Sequence, residues 1–130
     1  RHYEYFDTWI NNFVLNLENI WKEPSAKMLE PDLEKDSHFL NHSAIVIGRG
    51  PSLKKQKHLE LLANSNYHGI VIVCDGVLIE ALKSGVTPDK FPNFYVVTID
   101  YAPTFKKFYD DELVDKFGKK IKGFLSAYCF

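Results

Sequence analysis

No stretch of this 130-residue chain stays apolar for the ~18 residues that a membrane span needs. No membrane partner is therefore expected. No charged segment followed by an apolar core opens the chain, so nothing marks a secretory leader, and the default setting is cytoplasmic. Cysteine is scarce. Cys74 and Cys129 lie far apart and fit no metal-binding spacing, which predicts two reduced, buried thiols. An excess of either charge is missing too: 16 Lys and Arg against 17 Asp and Glu leave a formal charge of −1. That balance argues against a protein that coats nucleic acid. The 5 histidines show no His-x-x-x-His or related ligand spacing. No Ser/His/Asp or Cys/His arrangement can be assembled, and the lysines at 54–57 and 119–122 read as solvated surface.

What is present is concentrated at Ala44-Ile45-Val46-Ile47-Gly48-Arg49-Gly50-Pro51-Ser52-Leu53. A mostly β-branched run feeding a Gly-x-Gly-Pro-Ser turn, then a helix-compatible segment, predicts a buried parallel strand, a tight loop and a helix. Glycines permit positive φ or close backbone approach to a ligand. Pro51 suits an early helix position. Ser52 suits an N-cap or a hydroxyl donor to a phosphate oxygen. Free amides and the helix dipole there favour an anion, so phosphate is the first ligand to consider. The loop is not a P-loop, because no Gly-Lys-Ser/Thr follows, and not the dinucleotide fingerprint, because Leu53 stands where the third glycine belongs.

Residues 2–22 predict an amphipathic helix, with Tyr3, Phe6, Ile10, Phe13, Leu17 and Ile20 at spacings of three and four and Trp9, Val14 and Trp21 widening the stripe. Such a face needs cover: the body of the domain, a further N-terminal region or a second chain, so a homodimer through this helix is one expectation. Pro24 ends the helix, and residues 23–42 read as a surface connector with a short helical stretch near 25–29. Strand and helix then alternate: strands at 44–47, 69–74 and 94–99, helices near 53–65, 77–84 (closed by Gly85) and 104–117, and a fourth strand within 123–130. The expected fold is α/β, a three-layer, Rossmann-like, open and mainly parallel sheet over 43–130, preceded by the helix and connector of 1–42. Arg1 in place of Met, and a last strand at the chain's end, suggest a fragment with an incomplete sheet.

Ligands of open parallel sheets bind beyond the carboxyl ends of the strands. Three such ends carry Gly48, Arg49, Gly50, Pro51 and Ser52, then Asp75 and Gly76, then Asp100. Two aspartates at successive strand tips beside a glycine loop suit Mg²⁺ with phosphate oxygens. Read singly, each Asp can instead cap the helix that follows it. Arg49 is placed to clamp a phosphate, or to stand free in solvent.

The ordered set Ile-Gly-Arg-Gly-Pro-Ser-Leu (47–53), Val-Cys-Asp-Gly (73–76), Leu-Lys-Ser-Gly-Val-Thr-Pro-Asp (82–89) and Val-Thr-Ile-Asp (97–100) resembles the MptE-like family. That family holds archaeal 6-hydroxymethyl-7,8-dihydropterin pyrophosphokinases and bacterial motility accessory factors linked to flagellin glycosylation. The loop also looks like that of certain bacterial sialyltransferases. The resemblance implies a domain handling a nucleotide or activated phosphate donor, with Gly48, Gly50, Pro51 and Ser52 holding phosphates, Asp75 and Asp100 facing the site and binding metal, and Asp89 orienting its own loop. The helix and connector look more like the motility-factor branch. Three readings stay open: Mg-ATP-dependent pyrophosphoryl transfer to a small hydroxymethyl acceptor, nucleotide-sugar-dependent glycosyl transfer to a glycan acceptor, and a non-catalytic module assembled through the aromatic helix. An apolar stripe left exposed after folding favours the last.

Overall fold

The computed structural model describes residues 5–28 and 43–129. Helix α1 spans Phe6–Lys22, and a 3₁₀ turn follows at Ala26–Met28. Extended Glu23 stands between α1 and Pro24, whose ring disfavours a helical residue before it. Tyr3 and most of the predicted connector lie outside the described residues.

The second unit runs β1 (Ala44–Ile47), α2 (Pro51–Lys55), α3 (His58–Ala63), β2 (Ile70–Cys74), α4 (Asp75–Lys83), β3 (Phe94–Thr98), α5 (Glu112–Phe117) and β4 (Lys122–Leu125). All four strands are parallel and lie in the order β1-β2-β3-β4. This is the open parallel α/β sheet of Rossmann type that the alternating pattern predicts. Because order in space follows order in sequence, right-handed crossovers put α2 to α5 on one face. Burial agrees: Ile47, Val71, Val73, Phe94 and Val96 form the inner face, packed on Val77, Leu78, Ala81 and Leu82 of α4. Each such side chain contributes about 1.5–3 kcal/mol by leaving water. The other face is less covered, with Ile72, Tyr95 and Val97 half-buried and Val46 exposed. Among the described residues, no crossover helix fills the third layer.

Two predicted helices are each divided. The 53–65 segment breaks at Lys57, the only non-glycine residue with positive φ (52°) among those described. The amide of Lys57 bonds back three residues to Lys54 rather than four, and α3 restarts from the carbonyl of Lys57. The 104–117 segment becomes a 3₁₀ helix, Pro103–Phe108, and then α5, because the Asp111 carboxylate caps the amide of Leu113 at 3.0 Å. The fourth strand is shorter than expected and gives way to a turn closed by Cys129 N–H to Ser126.

Two glycines are fixed by geometry. Gly85, at φ +90°, ends α4 while the amides of Gly85 and Val86 bond back to Leu82 and Ala81. At Gly69 a Cβ would lie 2.2 Å from the carbonyl oxygen of Ser43, so only glycine fits between β1 and β2 there.

Helix α1 docks on this unit by an unexpected flank. Asn12 donates to the carbonyls of Tyr101 (3.0 Å) and Tyr128 (3.1 Å), and Asn16 to those of Cys129 (2.5 Å) and Ala127 (3.4 Å). Tyr5 and Trp9 pack on Tyr101 with ring centroids 5.2 and 5.4 Å apart. Of the predicted stripe only Trp9, among the described residues, joins this contact: Phe6, Ile10, Phe13, Val14, Leu17, Ile20 and Trp21 all stay exposed.

Candidate functional site

The carboxyl ends of β1, β2 and β3 share one rim, and their sequential order fixes the spacing along it. Adjacent strands lie ~4.8 Å apart, so the glycine loop is one spacing from Asp75 and about 10 Å from Asp100 at backbone level. The order never reverses among the described strands. The rim therefore has no crevice of the switch-point kind and must build its site from loops.

The loop after β1 is extended. Gly50 stands at the N-cap position of α2 with φ −139° and ψ 154°, Pro51 follows at the first turn, and no side chain caps the helix. Neither Gly48 nor Gly50 has positive φ. Their value is open space: nothing approaches a Cβ built on Gly48 within 4 Å, and only Ser52 Oγ, at 3.8 Å, approaches one on Gly50. Ser52 is exposed and takes the second helical position, not the N-cap. Among the described residues the amides of Arg49, Gly50 and Ser52 find no acceptor within the chain. Since α2 has only 5 residues, these amides carry more of any attraction for an anion than its dipole does.

Asp75 is the first residue of α4 rather than its cap, and its Oδ1 accepts from Gly76 N–H at 2.6 Å. Asp100 Oδ1 accepts from the amides of Tyr101 (2.8 Å) and Ala102 (3.3 Å), which turns the chain into Pro103. Neither carboxylate caps the helix that follows it, as the sequence allowed: each closes a local turn through one oxygen and leaves the other without a protein partner among the described residues. Burial raises the Cys129 thiol above the ordinary range, and Asp75 and Asp100 push it further the same way. Cys129 is buried and donates to the carbonyl of Thr98 at 3.4 Å. Tyr109, hydrogen-bonded to the Thr98 hydroxyl, is raised by its burial and by Asp75.

Arg49 ties the loop to the next strand end. Its guanidinium lies over the Phe108 ring at 5.6 Å, and its Cδ passes where a Cβ on Gly76 would be 3.2 Å away. Gly76 thus admits Arg49 across the start of α4. Lys107 Nζ approaches the same ring at 5.3 Å, adding a second cation beside it. From Gly76 and Phe108 a cleft of about 590 Å³ runs along α4 past Glu80, Lys83 and Ser84 to Lys54. It adjoins the rim without containing the two aspartates.

A family model described as 6-hydroxymethylpterin diphosphokinase MptE-like matches residues 11–123. The chain belongs to the MptE-like family. Comparison with curated proteins gave no match, and neither did comparison with solved structures. The family match takes in most of α1, the connector and the sheet as far as β4, well beyond the 44–100 motifs that carry the resemblance in sequence.

Of the residues picked out from sequence, the MptE-like fold gathers Gly48, Arg49, Gly50, Pro51, Ser52, Asp75, Gly76 and Asp100 at one rim. Asp89 is not among them. It lies on the connection from α4 to β3, hence at the opposite, amino-terminal edge of the sheet, where it pairs with Lys120 at 2.5 Å. One passage through a helix returns the chain to that edge, so a residue between helix and strand cannot reach the rim. Sequence reasoning missed Phe108, Cys129 and Tyr109. The cluster Phe105-Lys-Lys-Phe108-Tyr109 was a usable signal for aromatic and cationic groups beside the rim; Cys129 carried none.

The donor chemistry at the rim fits a hard cation. Two carboxylates with an oxygen to spare, beside free amides, suit Mg²⁺ held jointly with phosphate oxygens. Among the described residues no three His, Cys, Asp or Glu side chains form a metal cage, so the carboxylates would share the ion with a ligand. No helix among them is long and apolar enough to cross a membrane.

Proposed function

We propose that this chain is a nucleotide-binding transferase that moves a diphosphoryl group from Mg-ATP to a small hydroxymethyl acceptor of pterin type. The observation that carries the reading is the convergence at one rim of an open glycine loop with unspent amides, Arg49, and two half-free carboxylates, in a chain of the MptE-like family. In this reading the amides of Gly50 and Ser52 hold phosphate oxygens, and Arg49, braced on Phe108, offsets charge on the group being transferred. Asp75 and Asp100 would hold Mg²⁺, which supplies charge neutralisation on the phosphates. The acceptor's hydroxyl oxygen bonds to the β-phosphorus, the bond from that phosphorus to the oxygen bridging the α-phosphorus breaks, and AMP leaves as the hydroxyl proton is lost. The protein's part is positioning and electrostatics.

The test is calorimetry with ATP and with cytidine monophosphate compounds, each with and without Mg²⁺, followed by phosphorus NMR of ATP with a hydroxymethyl-dihydropterin. Mg²⁺-dependent ATP binding, with AMP appearing only when acceptor is present, is the expected result. Selective binding of the cytidine compounds would replace it with glycosyl transfer from a nucleotide-sugar. No binding across the panel would leave the rim a scaffold.

A further inference from the structure

We infer that two copies of this chain associate through α1, packed antiparallel along the stripe that the fold leaves bare. The inference is independent of the activity proposed above. Asn12, Asn16, Tyr5 and Trp9 fix α1 to the body, and at 3.6 residues per turn the stripe is centred about 110° away around the helix. The helix is thus already seated when its apolar face looks outward.

The exposed face is large enough to matter. Its 7 side chains, from Ile20 at 41% to Trp21 at 91% exposure, are all among the exposed large apolar residues of the described chain. With ~200 Å² for a fully exposed aromatic residue and somewhat less for an aliphatic one, the stripe presents on the order of 700 Å². That exceeds the ~300–600 Å² of the largest apolar patch on a typical monomer and approaches the ~800 Å² that each partner gives to a stable interface. A single helix of 17 residues supplies it all.

The stripe also matches itself. Reversed end for end about the point midway between Phe13 and Val14, it sets Phe6 opposite Trp21, Ile10 opposite Leu17, and Phe13 opposite Val14. Aromatic meets aromatic at the ends, Ile10 meets Leu17 between them and Phe13 meets Val14 at the centre, while Ile20, at the margin, falls opposite Asp7. A two-fold interface needs this self-complementarity, because one patch must serve both sides. An unrelated partner would not require it. Antiparallel packing also sets the two helix dipoles against each other favourably.

Sedimentation velocity on the 130-residue chain over a range of concentrations reads the mass directly. The expected result is a species of twice the chain mass, with the F13E/L17E variant raising the dissociation constant on the order of 100-fold and, at a concentration where both proteins are monomeric, leaving the thermal transition in place, since both side chains are exposed in the single chain. Oxidation of V14C, next to the two-fold point, should give a covalent dimer absent from the parent chain, whereas L15C, on the far side of the helix, should not. A parent chain that stays monomeric throughout overturns the inference. So does a dimer that survives F13E/L17E, or one that L15C traps better than V14C.

Discussion

Helices α1 and α4 are both amphipathic, yet the protein uses them in opposite ways. Helix α4 buries Val77, Leu78, Ala81 and Leu82 within 9 residues, whereas α1 buries only Asn12 within 17. Helix α4 is held by apolar surface removed from water. Helix α1 is held by asparagine amides that satisfy the carbonyls of the turns after β3 and β4, with two aromatic rings as wedges. Amphipathicity therefore marks a helix and its apolar face but does not say whether that face meets the same chain. The difference also bears on the rim: the carbonyl that Asn12 holds belongs to Tyr101, next to Asp100, so the attachment of α1 steadies one of the two acidic tips.

The sharpest way to break the comparison is to cut the same kind of group from each helix. Leu78→Ala in α4 should cost about 2–5 kcal/mol of unfolding free energy, while Phe13→Ala in α1 should stay within ~0.5 kcal/mol when measured by urea denaturation at a concentration where the chain is monomeric. Equal losses would mean the stripe is covered after all. Next in size, Asn12→Ala leaves the carbonyls of Tyr101 and Tyr128 without their donor and should cost about 1–3 kcal/mol. Hydrogen exchange would then show faster opening of α1, with the amides of α4 unchanged.

The acidic tips give a third test, read as a titration rather than a stability. Burial is the larger cause of the raised Cys129 thiol, with Asp75 and Asp100 adding to it. Asp75→Asn and Asp100→Asn should therefore each lower that pKa, as followed by the Cys129 Cβ shift in NMR. A variant that leaves it unmoved would separate that carboxylate from the other. The smallest effect concerns a polar tie on the α4 side. Lys83 bonds Asp111 at 2.7 Å, and together with the amide of Leu113 holds its carboxyl below the ordinary 3.8. A depressed carboxyl stabilises the fold when ionised. Its contribution is therefore complete above the ordinary aspartate range and fades as pH falls through the lowered value. Lys83→Met should flatten the loss of stability between neutral pH and about pH 3, as followed by urea titrations at each pH.

Much of the architecture was legible because it depends on local pattern. The runs at 44–47, 69–74 and 94–99 are continuous and β-branched enough to mark parallel strands, although burial on both faces did not follow, since Val46 is exposed and β2 and β3 bury alternate residues; Gly85 marks the end of α4 through its own φ. The acidic residues after β2 and β3 follow from the same reading. Legibility failed where the outcome turned on hydrogen bonds that no periodicity encodes. Lys57 in the left-handed region splits one predicted helix, and the Asp111 cap splits another. Asp89 belongs to a recognisable motif, but its place depends on which edge of the sheet its loop serves.

By itself the sequence determined an α/β chain with a glycine loop, acidic strand tips and an amphipathic first helix, because backbone preference and apolar spacing are properties of neighbours along the chain. Only the tertiary structure decided that the strands stand in the order β1-β2-β3-β4, that Arg49 crosses Gly76 to lie on Phe108, and that α1 docks by its asparagine flank. Those outcomes rest on contacts between residues remote in sequence, where several pairings satisfy the same local pattern and packing and hydrogen bonding select one.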